Sequence, residues 1–106
     1  MGYRRTMLLR TAEFARWLEG VRDREARARI QIRLDRMEIG LAGDVKPVGH
    51  GVSELRIPYG PGYRVYFVRT RRDEVLLLTG GTKRRQRFDI RRAMPMARSL
   101  KEDADD

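Results

Sequence analysis

Cysteine is absent from this chain of 106 residues, and histidine occurs once, at His50. Without thiols there are no disulfides and no thiolate-bound metals, and one imidazole cannot form a histidine metal cluster. We therefore expect no metal and no cofactor. Apolar runs stay well short of the ~20 residues that cross a bilayer, and residues 1–10 lack the apolar segment of a signal peptide. These absences predict a cytoplasmic protein without a membrane partner.

Acidic residues are scarce relative to basic ones. The chain has 24 Lys plus Arg against 15 Asp plus Glu, a net charge of +9. Such an excess is typical of proteins that bind phosphates of nucleic acids, although a basic surface without a specific partner is the alternative. The acidity is concentrated at the end of the chain, in KEDADD (101–106). We predict one domain over residues 1–100 and a disordered acidic tail over 101–106.

Two helices are predicted between residues 11 and 40. Thr11 and Asp23 are suitable N-caps, and Gly20 and Gly40 are placed to end the helices. Apolar residues recur at helical spacing after each cap. The second helix carries a row of arginines that either faces solvent or rests on RNA. These are Arg24, Arg27, Arg29, Arg33 and Arg36.

Strands are predicted at about 3–9, 52–57, 62–70 and 74–80, with a glycine-rich loop at 41–51 and a helix after Phe88. Side chains alternate across a strand, so the polar residues of the second and third strands share one face. They are Glu54, Arg56, Arg64 and Tyr66. We expect that face to be open and suited to bind an anion, and an arginine on it to contribute little to stability.

Four segments together resemble a known family. They are ELRI (54–57), GPGYRVYF (60–67), LLLTGGTK (76–83) and the pair Asp89-Ile90 followed by Ala93 and Ala97. Over roughly residues 11–100 the chain resembles RelE/ParE superfamily toxins of type II toxin-antitoxin modules, in the HigB-like addiction-module killer branch. The resemblance implies a small RelE-like α+β fold. Its elements are an N-terminal strand, a two-helix hairpin, a three-stranded antiparallel meander completing a four-stranded sheet, and a C-terminal helix.

The same resemblance implies a function and partners. Such toxins cut messenger RNA in the ribosomal A site without a metal, leaving a 2′,3′-cyclic phosphate, and are neutralised by a cognate antitoxin. The antitoxin expected here is a helix-turn-helix protein encoded in the same operon. Two alternatives stay open: a ParE-like inhibitor of DNA gyrase, and an RNA-binding module without enzymatic activity.

Arg64 matches the family arginine that holds the phosphate, and its planar fork suits that task. Arg56 is the neighbouring cation on the same face. Lys83 and Arg84 match the family's basic position after the last strand, or act with Arg85 and Arg87 in general attraction of phosphates. The residues expected to bind RNA are Lys46, Arg84, Arg85, Arg87 and Phe88.

Proton transfer is assigned to fewer groups. Glu54 could act as a base, although an ion pair with Arg56 or Arg64 is the preferred interpretation. Tyr66 could replace the C-terminal tyrosine of RelE, which has no counterpart here, or it could serve only in packing. His50 has a side chain suited to acid–base work, but its position between glycines favours simple exposure.

Overall fold

The computed structural model describes residues 5–105, with side-chain surroundings for residues 5–100. In this part of the chain five strands and three α-helices form one α+β domain. The strands are β1 (Met7–Arg10), β2 (Val45–Gly49), β3 (Val52–Ile57), β4 (Tyr63–Arg71) and β5 (Glu74–Thr82). The helices are α1 (Ala12–Gly20), α2 (Arg24–Glu38) and α3 (Gln86–Asp105), the last preceded by a 3-10 turn, Lys83–Arg85. Tyr3, where the first strand was predicted to start, lies outside the described residues.

The two predicted helix caps are confirmed. The Thr11 hydroxyl accepts the Phe14 backbone N–H at 2.9 Å, and an Asp23 carboxylate oxygen accepts the N–H groups of Glu25 and Ala26. Each cap satisfies donors that the first turn of a helix leaves without a partner. The caps therefore determine where α1 and α2 begin.

The sheet has the order β1-β5-β4-β3-β2. Strand β1 lies parallel to β5, and the other neighbouring pairs are antiparallel. The prediction of four strands was wrong, because residues 45–49 form a fifth strand where a loop was expected. Pro47 and the nearby glycines suggested a loop, but β2 is an edge strand, and an edge tolerates the missing N–H of proline. Three successive residues of positive φ, Gly49 to Gly51, then turn the chain into β3.

Two apolar clusters lie on opposite faces of this sheet. The larger cluster joins α1 and α2 to β3, β4 and β5, and includes Phe14, Ile30, Leu34, Leu55 and Val65. The smaller cluster joins α3 to the other face, and includes Val52, Val68, Leu78, Ala93 and Ala97. The sheet is therefore covered on both faces.

An irregularity in the pairing of β4 with β5 reverses the alternation of β5. Tyr66 pairs with Thr79 while Phe67 pairs with Leu77, so Leu78 is the extra residue of a β-bulge. Leu77 belongs to the larger cluster and Leu78 to the smaller one. Beyond the bulge, Gly80 lies under Trp17 of α1, and Gly81 lies under Asp89 of α3. Bulges commonly re-aim side chains in this way beside functional sites.

Helix α3 continues through residues 101–105, where the sequence suggested a disordered tail. The side chains of residues 101–106 lie outside the described part of the structure. The boundary of the domain at residue 100 therefore stays a prediction.

Candidate functional site

Strand pairing brings four of the five predicted catalytic residues, all except Lys83, together in two rows across the sheet. Arg56 of β3 pairs with Arg64 of β4, which pairs with Gly81 of β5. In the next row on the same face, Glu54 pairs with Tyr66, which pairs with Thr79. Lys46 of the edge strand β2 extends this second row beside Glu54. The predicted sharing of one face by Glu54, Arg56, Arg64 and Tyr66 is confirmed.

The prediction that this face is open was wrong. Glu54 and Tyr66 are 0% exposed, and Arg64 is 8% exposed. Arg56 is partly exposed. Alternation along a strand tells which residues share a face, but not which element packs on that face, and here α3 covers it. Arg64 is therefore a buried charge, which removes the reason for expecting it to matter little for stability.

Glu54 is the centre of this buried polar cluster. Its Oε1 atom lies 3.7 Å from Nε of Arg64 and 3.8 Å from Nε of Arg56, distances of ion pairs rather than hydrogen bonds. Its Oε2 atom accepts a hydrogen bond of 2.7 Å from the Gln86 side chain, at the start of α3. Two cations and one donor thus compensate a carboxylate without exposure to solvent. The preferred interpretation of Glu54 as an ion-pair partner agrees with this geometry.

Tyr66 has a buried hydroxyl without a hydrogen-bond partner. Burial, and then the negative charge of nearby Glu54, raise the pKa of this phenol above its usual value. Although Glu54 is close, the two groups do not reach hydrogen-bond geometry. Tyr66 consequently keeps its proton at neutral pH and could donate it, but it could not remove one from a substrate.

Arg33 of α2 is a supporting residue that the sequence interpretation placed wrongly among solvated arginines. Its guanidinium donates to the backbone oxygen of Arg56 at 2.6 Å and to that of Ala42 at 3.0 Å. Burial lowers the pKa of Arg33. Asp44, next to this anchored loop, pairs with Nε of Arg56 at 3.4 Å. The sequence did contain a signal for its partial burial. Arg33 lies three residues after Ile30 and four before Met37, so it is next to the buried stripe of α2.

Four of the five residues expected to bind RNA form a basic rim beside the cluster together with Lys83, whereas the fifth, Lys46, is exposed on β2. The rim comprises Lys83, Arg84, Arg85, Arg87 and Phe88, all of which are exposed. The Lys83 backbone N–H donates to the Gly62 oxygen at 2.7 Å, so the rim is attached to the turn before β4. A β-carbon at Gly62 would contact both Lys83 and Nη1 of Arg64. The glycine thus allows the rim to lie close to the buried arginine.

Asp89 is the functional candidate that the residue-by-residue prediction missed. It is 6% exposed, and its Oδ2 atom has no hydrogen-bond partner. A β-carbon at Gly81 would overlap this carboxyl group, so the glycine makes room for it. Burial raises the pKa of Asp89, while the charge of Arg85 opposes that shift. In the sequence, Asp89 counted only as part of a family motif, and nothing local marked it as buried.

His50 lies at the tip of the β2–β3 turn, where it is exposed and has a φ of 55°. This position agrees with the preferred interpretation of an exposed loop residue. Among the described residues no group of three His, Asp or Glu side chains could hold a metal ion. No helix in the described part is long and apolar enough to cross a membrane.

Fold and site define a small, basic α+β domain with a charged cluster between a mixed sheet and its C-terminal helix. No family model matches the chain. A Haemophilus influenzae protein described as uncharacterized is 41% identical over 90 residues, which cover 85% of this chain and 91% of that protein. The chain belongs to the same family as this protein.

Proposed function

We propose that the protein is a toxin of a type II toxin-antitoxin module, of the HigB-like branch of the RelE/ParE superfamily. It acts in the cytoplasm as a metal-independent endoribonuclease that cuts messenger RNA on the ribosome and halts translation. The observation that carries the proposal is the pair of arginines at Glu54, with the exposed basic rim attached beside them. The antitoxin is a helix-turn-helix protein from the same operon.

The chemistry divides among these groups according to their properties. The rim attracts the RNA backbone, and Arg64 and Arg56 stabilise the extra negative charge that develops on phosphorus when a 2′-hydroxyl attacks. Because Tyr66 is fully buried, solvent water supplies the proton for the departing 5′-oxygen. Glu54 orients the two guanidinium groups. As the 2′-oxygen bonds to phosphorus, its proton passes to solvent water and the bond between phosphorus and the 5′-oxygen breaks, which leaves a 2′,3′-cyclic phosphate and a free 5′-hydroxyl.

One observation favours a second candidate, a protein that binds RNA without cutting it. Glu54 and Tyr66 are 0% exposed, so in this structure neither can touch a phosphate. The groups that a bound RNA could reach are those of the basic rim and Arg56. In a module that only binds, the buried cluster would be structural. The same observation is compatible with the ParE-like alternative, in which gyrase is the target.

Translating ribosomes incubated with the protein separate these candidates. New 5′ ends on ribosome-bound messenger support the nuclease, loss of gyrase supercoiling without new ends supports the ParE-like inhibitor, and RNA binding alone supports the module. For the RNA-binding candidates, log K should fall with log salt by ~0.7 per phosphate contact on single strands. An affinity that stays constant with salt contradicts an RNA target.

Arg64→Lys is the sharpest variant for the nuclease. It retains the charge but loses the planar fork, and we expect the cleavage rate to fall by about 10²-fold. The matched control is Arg98→Lys at an exposed position of α3, which should keep the parental rate. Circular dichroism must show that both variants fold, because Arg64 is buried. A folded Arg64→Lys protein that cuts at the parental rate would remove Arg64 from the reaction.

A further inference from the structure

The far end of β5 leaves one side of its backbone without a neighbouring strand in the described part of the chain. Strand β1 ends at Arg10, which pairs with Leu77. Beyond this point β4 continues beside β5 as far as Thr82, but the opposite side has no strand. Helix α1 lies against one face of this free edge and α3 against the other. The result is a cleft of about 590 Å³ at the edge of the sheet.

Aromatic rings and arginines line this cleft. Trp17 lies over Gly80, and Phe88 is 55% exposed with the Arg85 guanidinium 4.7 Å from its ring centre. Arg16 is also at the cleft. The side chains of Arg16 and Arg85 make no hydrogen bond or ion pair with the described residues, although the Arg85 guanidinium lies over the Phe88 ring. Flat apolar surfaces beside available cations are what a nucleotide needs for stacking and for its phosphate.

One side of the cleft is closed by a connection between the two helices. Both Arg92 nitrogens that face α1 donate to the Glu13 carboxylate, one of them at 2.9 Å. Because Glu13 already holds Arg92, that guanidinium is less available to a ligand. The positive charge offered to a phosphate therefore comes from Arg16 and Arg85.

Asp89 supplies the observation that points to a particular base. Asp89 borders the cleft, and the residue is only 6% exposed to solvent. Its Oδ2 atom has no partner among the described residues. A carboxylate only accepts hydrogen bonds. Of the four RNA bases, guanine alone presents two adjacent N–H donor groups on its Watson–Crick edge.

We propose that this cleft binds a guanine nucleotide, with the Asp89 carboxylate accepting hydrogen bonds from the base. Phe88 and Trp17 contact the ring, and Arg85 and Arg16 bind the phosphate. The cleft adjoins the Glu54 cluster, because Thr79 and Gly81 at the cleft pair with Tyr66 and Arg64 of the cluster. The biological ligand, a guanosine in single-stranded RNA, rests on the proposed function, whereas binding of the free nucleotide does not.

Trp17 makes the test direct, because it is the chain's one tryptophan. Its fluorescence would be followed while GMP, AMP, CMP or UMP is added to the full-length protein. We expect a saturable change with GMP at the lowest concentration. Asp89→Asn should weaken GMP binding by about tenfold and abolish the preference for GMP. Phe88→Ala should weaken the binding of all four nucleotides by about tenfold.

Arg98→Ala is the control, since Arg98 is an exposed residue of α3 outside the cleft. It should bind GMP as the parent does. Phe88→Ala alters an exposed side chain, so it tests the proposal even if Asp89→Asn fails to fold. Equal responses to the four nucleotides, or none that saturates, would overturn the assignment. A saturable response to an extended acidic peptide but not to GMP would also overturn it, in favour of a strand added to the free edge of β5.

The outcome is separable from that of the proposed function. GMP binding by a protein that cuts no messenger supports the cleft and removes the nuclease. Cleavage of messenger by a protein whose Trp17 ignores all four nucleotides supports the nuclease and overturns the cleft.

Discussion

The two faces of the sheet are built from the same strands but differ in kind. Strand β3 shows the contrast most directly: Leu55 is buried in the larger apolar cluster, while its neighbour Glu54 is equally buried in the polar one. On the first face, burial removes apolar surface from water and stabilises the fold. On the second face, burial takes charges out of water and stabilises only as far as their partners compensate.

On the second face the buried polar groups are only partly compensated by partners. The buried polar face retains several side-chain atoms without a hydrogen-bond partner, on Glu54, Arg56, Arg64, Tyr66 and Asp89. Native proteins keep few such atoms, and those that persist are often functional. A protein selected only for stability would replace this cluster with apolar side chains. The α1–α2 face is therefore apolar throughout its core, whereas the α3 face combines the smaller apolar cluster with buried polar groups that are incompletely compensated.

The largest expected effect is on the apolar face. Leu55→Ala should lower the free energy of unfolding by about 2–5 kcal/mol, because it leaves a cavity in a fully buried site. Urea denaturation measures the change. Ile32→Ala is the control, since Ile32 is 48% exposed on α2 and should shift stability by only about 0.5 kcal/mol. Similar losses for the two variants would contradict the assignment of the core.

The next effect concerns coupling on the polar face. Arg64→Met and Glu54→Gln should each destabilise the protein, because each leaves a buried partner uncompensated. The double variant should lose less free energy of unfolding than the two single variants lose together, with a coupling free energy of about 0.5–3 kcal/mol. Denaturation of all four proteins completes the cycle. Additive losses would show that the 3.7 Å pair contributes nothing.

Asp89→Asn should produce a smaller change, of opposite sign. The folded pKa of Asp89 lies above its unfolded value near 3.8, chiefly through burial, with Glu13 adding to the shift and Arg85 and Arg92 opposing it. Stability from this carboxyl is therefore lost as pH rises from the unfolded pKa through the folded one. The variant should lack that loss and be more stable than the parent at neutral pH. A stability difference independent of pH would contradict this.

The smallest effect is expected at the connection between α1 and α3. The pKa of Glu13 lies below its usual 4.5, first because Arg92 donates hydrogen bonds to it. Its contribution is present above pH 4.5 and is lost as pH falls through the lower folded pKa. Glu13→Gln should thus be slightly less stable than the parent at neutral pH and equally stable in strong acid. Glu19→Gln, exposed on the same helix, should match the parent throughout.

Local signals in the sequence were sufficient for the starts of α1 and α2, but not for the bounds of α3. Thr11 and Asp23 cap as predicted because a cap depends on a side chain and the next three backbone donors. Alternation placed Glu54, Arg56, Arg64 and Tyr66 on one face for a similar reason, since the pleat has a period of two residues. The resemblance supplied a function that the structure leaves as a proposal.

Interactions between distant segments decided the rest. The sequence by itself determined the α+β class, the starts of α1 and α2 and which residues of β3 and β4 share a face, because these depend on neighbours along the chain. Only the tertiary structure decided that α3 covers the polar face, that β2 joins the edge, and that the bulge at Leu78 re-aims Gly80 and Gly81. Likewise Arg33 and Asp89 acquire their roles from residues 23 and 8 positions away. Such contacts depend on the shape and charge of segments that meet only in the folded chain. The periodicity of a single strand carries no information about those segments.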